Sequence, residues 1–260
     1  MARREKKSYV IQSVTNALNL LETFKGDRDE LGVTELSKRL GLHKNNIFRL
    51  LATLEARGYI EQNKATENYR LGVQSLGLGQ AFIKQIGLVR QAKPFLKEIV
   101  KECNEKANIG TIRQKFVVHL DVVEADQTVK VANRVGWRFP IHCTSIGKAQ
   151  IAYASDEEME KLGIWENMER RTPNTIVDKA EFLKHLREVA KRGYAIDNEE
   201  CELGVRAVAV PIRDYTGRVV GGISVSGPSF RMTDEIMRGK IIPVVKEAGS
   251  KVSKRLGFGT

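Results

Sequence analysis

The chain has 260 residues, 42% of them hydrophobic and 29% charged, a balance that excludes a disordered or fibrous chain and accommodates one large domain or two modest ones. Its longest stretch without a charged side chain, residues 8–21, is 14 residues long and runs into Glu22, Phe24 and Lys25, so neither a membrane span nor a secretory cleavage site is expected. Three widely spaced cysteines, Cys103, Cys143 and Cys201, argue against a disulfide framework and point to a cytoplasmic protein without a membrane partner, and the net charge of +11 favours a polyanionic one.

Val14, Ala17, Leu18, Leu21 and Phe24 recur at helical spacing, which predicts a first helix over residues 13–24 with one buried stripe, ended at Gly26. A second, short helix is expected to take Thr34 as its N-cap, with Glu35 at the positive end of the dipole, Leu36 and Leu40 inward, and Gly41 as a left-handed stop. After Leu42 and His43, a third helix carries Ile47, Leu50, Leu51 and Leu54 as a narrow apolar stripe and stops at Gly58. Two helices joined by a tight glycine turn match helix-turn-helix geometry, and residues 59–62 and 69–71 read as two short strands around a polar loop, a wing. Between Glu35 and Glu55 no residue is acidic, while Lys38, Arg39, Lys44 and Arg49 all fall there. On the third helix Asn45 and Arg49 lie opposite the apolar stripe, flanked by Phe48 and Thr53. Asn can bond adenine and Arg guanine at the edges of the major groove, so this face suits base readout; a merely solvated polar face is the bland alternative. Lys38, Lys44 and Asn46, with Lys64 in the wing, complete the candidate DNA-contacting set.

Residues 73–87 are helical in pattern but glycine-rich, which suits a connector. An amphipathic helix follows with Phe95, Leu96, Ile99, Val100 and Cys103 on one side, so Cys103 reads as a small buried hydrophobe. The texture then changes to strands at residues 109–112, 116–123 and 129–133. Helices are predicted at 145–153, 156–162 and 178–192, the last capped by Asp178 and stopped by Gly193. Strands return at 205–212 and 219–226 around the turn Asp214-Tyr215-Thr216-Gly217, and the chain closes with a helix from Thr233, bent or broken at Pro243. Ser224 and Ser226, two apart in a strand, present both hydroxyls on one face, and Val205 and Ala207 share a face in the same way.

The order of these segments resembles the IclR family of bacterial transcriptional regulators along nearly the whole chain. The likeness rests on SVTNALNLLETF, TELSKRLGLHKNNIFRLLATLEARGYI, YRLG, GWRFPIHCTSIGKA, RGYAIDNEECELGVRAVAVPI and GGISVSGPSFRMT. It implies an α/β two-domain protein: an N-terminal winged helix-turn-helix DNA-binding domain (residues 1–72), a linker helix (73–87) and a C-terminal GAF-like α/β effector-binding domain (88–260). It also implies a homodimer or homotetramer bound to a palindromic or pseudo-palindromic double-stranded DNA operator and modulated by a small organic acid. Carried over position by position, the pocket would be lined by Ser145, Ile146, Asp197, Val205, Ala207, Ser224 and Ser226, with Val131 and Phe139 as its apolar wall. The expected chemistry is an anion site built from hydroxyls and backbone N–H groups near a helix N-terminus, with Asp197 as a hydrogen-bonding partner. The chain departs from the family at Lys44-Asn45-Asn46, where Lys-Ser-Thr is usual, and at Ala207, where some members have cysteine.

Two other function classes compete with this one. Gly222-Ile223-Ser224-Val225-Ser226-Gly227 lacks the second glycine and the strand-turn-helix context of a nucleophile elbow, and no spacing links His119, His142 or His185 to Ser145 or Ser224 as a base. No catalytic residue is therefore assigned. His142, Cys143, Glu199, Glu200 and Cys201 could hold Zn²⁺ on two loops, or Cys143 could be redox-sensitive; no close Cys or His pair occurs, and the reading assigns neither a metal nor a cofactor.

Overall fold

A computed structural model describes residues 10–24, 29–85, 87–166 and 168–259, and the chain divides into two compact units, the first closing at Gln85. That unit contains α1 (Gln12–Thr23), α2 (Val33–Leu40), α3 (Lys44–Ala56), β1 (Ile60–Gln62), β2 (Tyr69–Leu71) and α4 (Val73–Gln85). Its core gathers Leu20, Phe24, Leu31, Leu36, Ile47, Leu51, Leu54, Ile60 and Tyr69. The stripe expected on α1 is only partly used. Leu20 is fully buried whereas Val14 and Leu18 are more than half exposed, because this small core takes in only the C-terminal turn of α1. The stop expected at Gly26 lies outside the described residues.

Gly32, and not Thr34, caps α2, and it does so without a side-chain bond. Leu31 is already fixed by an antiparallel bridge to Tyr69, so the helix starts at Val33 and takes Thr34 into its first turn. Gly41 adopts φ 63°, the left-handed conformation that a side chain disfavours, and its N–H closes on the Ser37 carbonyl. Ser37 Oγ then donates to the Leu42 carbonyl at 2.6 Å, which locks the turn into α3. β1 and β2 pair antiparallel, with Ile60 opposite Leu71, and form the wing.

The second unit runs α5 (Gly87–Cys103), β3 (Lys106–Arg113), β4 (Phe116–Val123), β5 (Arg138–Phe139), α6 (Ser145–Ile151), α7 (Asp156–Lys161), α8 (Lys179–Arg192), β6 (Ala195–Asn198), β7 (Val205–Arg213) and β8 (Val219–Pro228), then α9 (Asp234–Ile236), a π-helical turn and α10 (Ile242–Arg255). The six strands form one antiparallel sheet in the order β5-β4-β3-β8-β7-β6. Phe182, Leu186 and Val189 of α8 and Ile146 and Ala149 of α6 build a core with Val117, Ala195 and Ala209 on one face of the sheet. α5 and α10 pack together and against β3, β7 and β8. Asp178 and Gly193 cap α8 as expected.

The expected connector is helical over Val73–Gln85 and α5 is described from Gly87, with residue 86 outside the described residues. Three expectations need correction. Residues 129–133 form no strand, because side chains take the carbonyls a ladder would use: Lys106 Nζ bonds the Ala132 carbonyl at 2.9 Å and Arg231 Nη2 the Val129 carbonyl at 2.7 Å. The edge of β4 pairs with Arg138 and Phe139 instead. Pro243 lies in the first turn of α10, and the irregularity falls just before it, at the π turn Met237–Ile241, since proline has no N–H for the Gly239 carbonyl. Cys103 is only partly buried, although that burial still pushes its thiol up to about 11.

Candidate ligand cavity and nucleic-acid face

A cavity of about 70 Å³, several times the space one water needs, opens on the α6 side of the sheet. Val131, Phe139, Ser145, Ile146, Asp197, Val205, Ala207, Ser224 and Ser226 all line it. Strand alternation accounts for four of these: Ser224 and Ser226 on β8 and Val205 and Ala207 on β7 face the cavity, with Ala207 opposite Ser226 in the ladder. Ser145 and Ile146 arrive on the first turn of α6, which lies so close to the preceding turn that a Cβ on Gly147 would sit 2.1 Å from the Ile141 carbonyl oxygen. Thr144 caps that helix by accepting from the Gly147 N–H.

Sequence reasoning named Asp197 but missed the other ionisable residues of the lining and Asn108. Lys106 and Asn108 come from β3, His119 from β4, Arg134 from the irregular segment before β5, and Cys201 and Glu202 from the loop after β6. Lys106 is almost wholly buried, and burial, assisted by the charge on Arg134, lowers its ammonium to about 8. Arg134 Nη1 pairs with Glu202 at 3.2 Å. Ser224 Oγ donates to Asn108 Oδ1, and Asn108 Nδ2 lies 3.4 Å from His119 Nδ1. His119 stacks on Phe139 at 4.8 Å, and burial, then the charges of Lys106 and Arg134, hold it down at about 3. It is a neutral ring at physiological pH, with Nδ1 available as the acceptor for Asn108. A β-period reading of 129–133 hid Lys106 and Arg134, because their placement depends on that segment not being a strand.

Asp197 is 5% exposed and accepts N–H groups from Glu200 at 2.8 Å and Cys201 at 3.3 Å. Burial raises its carboxyl to about 7; Lys148 opposes the rise and Glu200 adds to it. Lys148, with no exposed surface, is paired with the Glu200 carboxylate at 2.5 Å. Ser226 Oγ is buried and has no hydrogen-bond partner among the described residues. At neutral pH the cavity therefore combines the Lys106 ammonium, the Arg134–Glu202 ion pair, a carboxyl near its titration midpoint and a spare hydroxyl, a donor set that can take a small anion.

Several residues weighed as catalytic or metal-holding are engaged by other groups. Ser224 bonds Asn108, and His142 Nε2 lies 2.9 Å from the Glu169 carbonyl. Glu200 is taken by Lys148, and Glu199 Oε2 accepts the Gly204 N–H. Among the described residues no three His, Cys, Asp or Glu side chains come together as a metal site, and no helix is long and apolar enough to cross a membrane.

In the first unit, Lys38, Lys44, Asn45, Asn46, Phe48, Arg49, Thr53 and Lys64 are all exposed, and on α3 Asn45 and Arg49 lie opposite the buried Ile47, Leu51 and Leu54. Phe48 is 59% exposed, a large apolar ring left in solvent. Thr53 Oγ1 donates to the Arg49 carbonyl at 2.8 Å, which leaves it only an acceptor role. Lys64 sits in a wing anchored by Glu30, whose carboxylate accepts from Asn63 and Thr66, both at 2.7 Å, and is lowered by those bonds.

These two units match two family models. Residues 13–64 match the IclR helix-turn-helix domain, and residues 80–254 match the C-terminal domain of the bacterial transcriptional regulator IclR. The chain belongs to the IclR family of transcriptional regulators. The HTH-type transcriptional regulator XynR of Escherichia coli (strain K12) is 32% identical over 249 residues, 96% of this chain and 98% of that protein. The crystal structure of Thermotoga maritima IclR aligns with a TM-score of 0.79 at 26% identity, covering 95% of this chain and 99% of the other. An IclR homologue from Microbacterium hydrocarbonoxydans, complexed with 4-hydroxybenzoate, shares the fold with a TM-score of 0.83 at 22% identity over 94% of this chain and 99% of its own. The IclR architecture accounts for the helix-turn-helix unit and for the α/β unit that contains the cavity.

Proposed function

We propose that this IclR-family regulator reads a two-fold-related operator through α3 and the wing, and that a small organic acid bound in the cavity modulates that binding. The observation that carries the ligand class is the buried pairing of Lys106 with the unpartnered hydroxyl of Ser226 in one cavity, beside Arg134. A carboxylate accepts from both at once and also balances the buried ammonium charge, which a neutral carbonyl does not. The 4-hydroxybenzoate held by the Microbacterium relative is an acid of this kind. Asp197 adds a preference: partly protonated, it donates to a ligand oxygen, and ionised it repels a carboxylate unless a ligand hydroxyl lies against it.

On the DNA side, Asn45, Arg49 and Phe48 are assigned to base edges, and Lys38, Lys44, Asn46 and Lys64 to phosphates. A homodimer or homotetramer supplies the symmetry that a palindrome requires. Pairing is supported by apolar side chains left exposed in the first unit, Val14 and Leu18 on α1 and Val73, Leu76 and Leu78 on α4. Calorimetric titration with 4-hydroxybenzoate, plain and 2-hydroxy monocarboxylates and their amides tests the ligand class, with operator affinity measured at saturation. Acids binding and shifting operator affinity while amides do neither is the expected result. Equal binding of acids and amides would remove Lys106 as the anchor and with it this reading of the cavity.

A further inference from the structure

The sheet face that floors the cavity is laid out in two rows across the strands. In one, Ala207 of β7 stands opposite Ser226 of β8, and Ser226 opposite Lys106 of β3. In the other, two residues along, Ala209 stands opposite Ser224 and Ser224 opposite Asn108. Strand rise sets the rows roughly 6.8 Å apart. The first row offers protons: Lys106 gives one of its three to the Ala132 carbonyl, and Ser226 Oγ has no partner among the described residues. The second row is the reverse. Ser224 and Asn108, each 2% exposed, are bonded together, with the only Ser224 proton given to Asn108 Oδ1. Asn108 turns its Nδ2 to His119 Nδ1 at 3.4 Å, an acceptor in the neutral Nε2–H form of that ring, which is stacked on Phe139. What Ser224 shows the cavity is therefore lone pairs. Turning its hydroxyl to a ligand would leave Asn108 Oδ1 buried without a donor, and reversing the Asn108 amide would set its carbonyl oxygen against the His119 lone pair.

We infer that Ser224, held as an acceptor by Asn108 and His119, makes the cavity selective for hydroxy acids over the corresponding keto acids, with the ligand hydroxyl several bonds from the carboxylate. This rests on the reading of the cavity as an acid site and adds a second anchor to it. The carboxylate takes the row of Lys106 and Ser226, and the ligand hydroxyl donates to Ser224 Oγ in the next row. A keto oxygen at that place meets lone pairs with lone pairs and brings no proton, so two buried acceptors face each other unsatisfied. A hydroxyl on carbon 2 lies too near the carboxylate to span the rows, whereas one on carbon 4 reaches across. Asn108 and His119 act through Ser224 and are positioning residues.

Calorimetric titration of the full-length protein with pentanoate, 4-hydroxypentanoate and 4-oxopentanoate, and with pentanamide as the uncharged control, tests this. The wild type should bind 4-hydroxypentanoate at least about tenfold more tightly than 4-oxopentanoate, the effect of one buried polar group left unpaired. Ser224→Ala should bring that ratio near one with pentanoate affinity kept. Asn108→Ala frees the Ser224 proton and should gain affinity for 4-oxopentanoate, which a general loosening of the cavity would not produce. Asp197 also faces the cavity, and a ratio that survives in Ser224→Ala would assign the selectivity to it and overturn the role of Ser224. Equal binding of the two ligands by the wild type, or tighter binding of 4-oxopentanoate, would overturn the inference without any variant. The acid reading would still stand in that case if pentanoate binds and pentanamide does not. Loss of that last difference, or no binding by any acid, removes the acid reading and this inference with it.

Discussion

On α3 the polar chemistry stands outside the fold: Asn45, Asn46 and Arg49 project from a helix whose packing comes from Ile47, Leu51 and Leu54, with Leu50 beside them. In and behind the cavity the polar chemistry is part of the fold itself, since Lys106, Asn108 and Asp197 of its lining and the Lys148–Glu200 pair outside that lining are buried and most are bound to one another or to backbone. The exposed set can change without unfolding the unit, so its specificity is free to diverge. The buried set is constrained twice, by ligand and by stability, because a buried charge left without its partner costs far more than a solvated one.

That contrast is sharpest at Lys148. Lys148→Met leaves the Glu200 carboxylate buried and unpaired and should cost about 3–5 kcal/mol in urea denaturation, while the double change Lys148→Met with Glu200→Leu should cost clearly less. An equal loss in both would mean that packing, not charge, governs this spot. Lys106→Met should reduce carboxylate affinity by roughly 1.5–3 kcal/mol in calorimetry, the worth of a hydrogen bond to a charged group, with little change in DNA binding. Arg49→Ala should do the opposite: about 1–3 kcal/mol lost on the operator, relaxed preference at one base position per half-site, and an intact cavity. Equal loss on random DNA would reassign Arg49 to phosphate.

A smaller effect is expected from pH. Asp197 carries its charge only as pH rises through about 7, and Lys106 loses its charge through about 8, so both changes weaken carboxylate binding in the same direction. Affinity for a plain monocarboxylate should fall by up to about tenfold per pH unit above 7, and Asp197→Asn should remove the first part of that fall. The same carboxyl also acts on folding. Between 3.8 and about 7 the folded form holds a proton that the unfolded form releases, so stability declines as pH rises through that window, and Asp197→Asn should flatten the decline. The smallest change concerns the connector. Gly77→Ala with Gly79→Ala meets no close contact and adds about 1 kcal/mol of helix propensity per site, so operator and ligand binding should each survive. Only the factor by which ligand shifts operator affinity should shrink; an unchanged factor would remove α4 from the coupling.

Much of this architecture was legible in the residues because each signal was local. Gly41 and Gly193 marked helix ends, the stripe of Ile47, Leu51 and Leu54 oriented α3, and the alternation around Ser224 and Ser226 turned both hydroxyls to one side. What escaped was set by distant partners. Nothing near Val129 or Ala132 says that the side chains of Arg231 and Lys106 will claim their carbonyls, and nothing near Thr34 says that Leu31 will be held by Tyr69. Four-residue β6 and two-residue β5 are too short to show a period, yet β6 positions Asp197 and β5 positions Phe139.

Ser226 leads to a consequence of another kind. A hydroxyl buried without a partner makes the ligand-free form less stable than the same fold with that bond supplied. An acid that supplies it acts as a folding ligand, and at a hundred times its dissociation constant it adds about 2.7 kcal/mol to the stability of the folded form. Proteolysis through opened states draws on the unfolded population, so the regulator should last longer in a cell rich in such an acid than in one without it, a difference that a pulse-chase measurement reads. The metabolite signal is then written twice, quickly in operator occupancy and slowly in the number of regulator molecules that remain to read it.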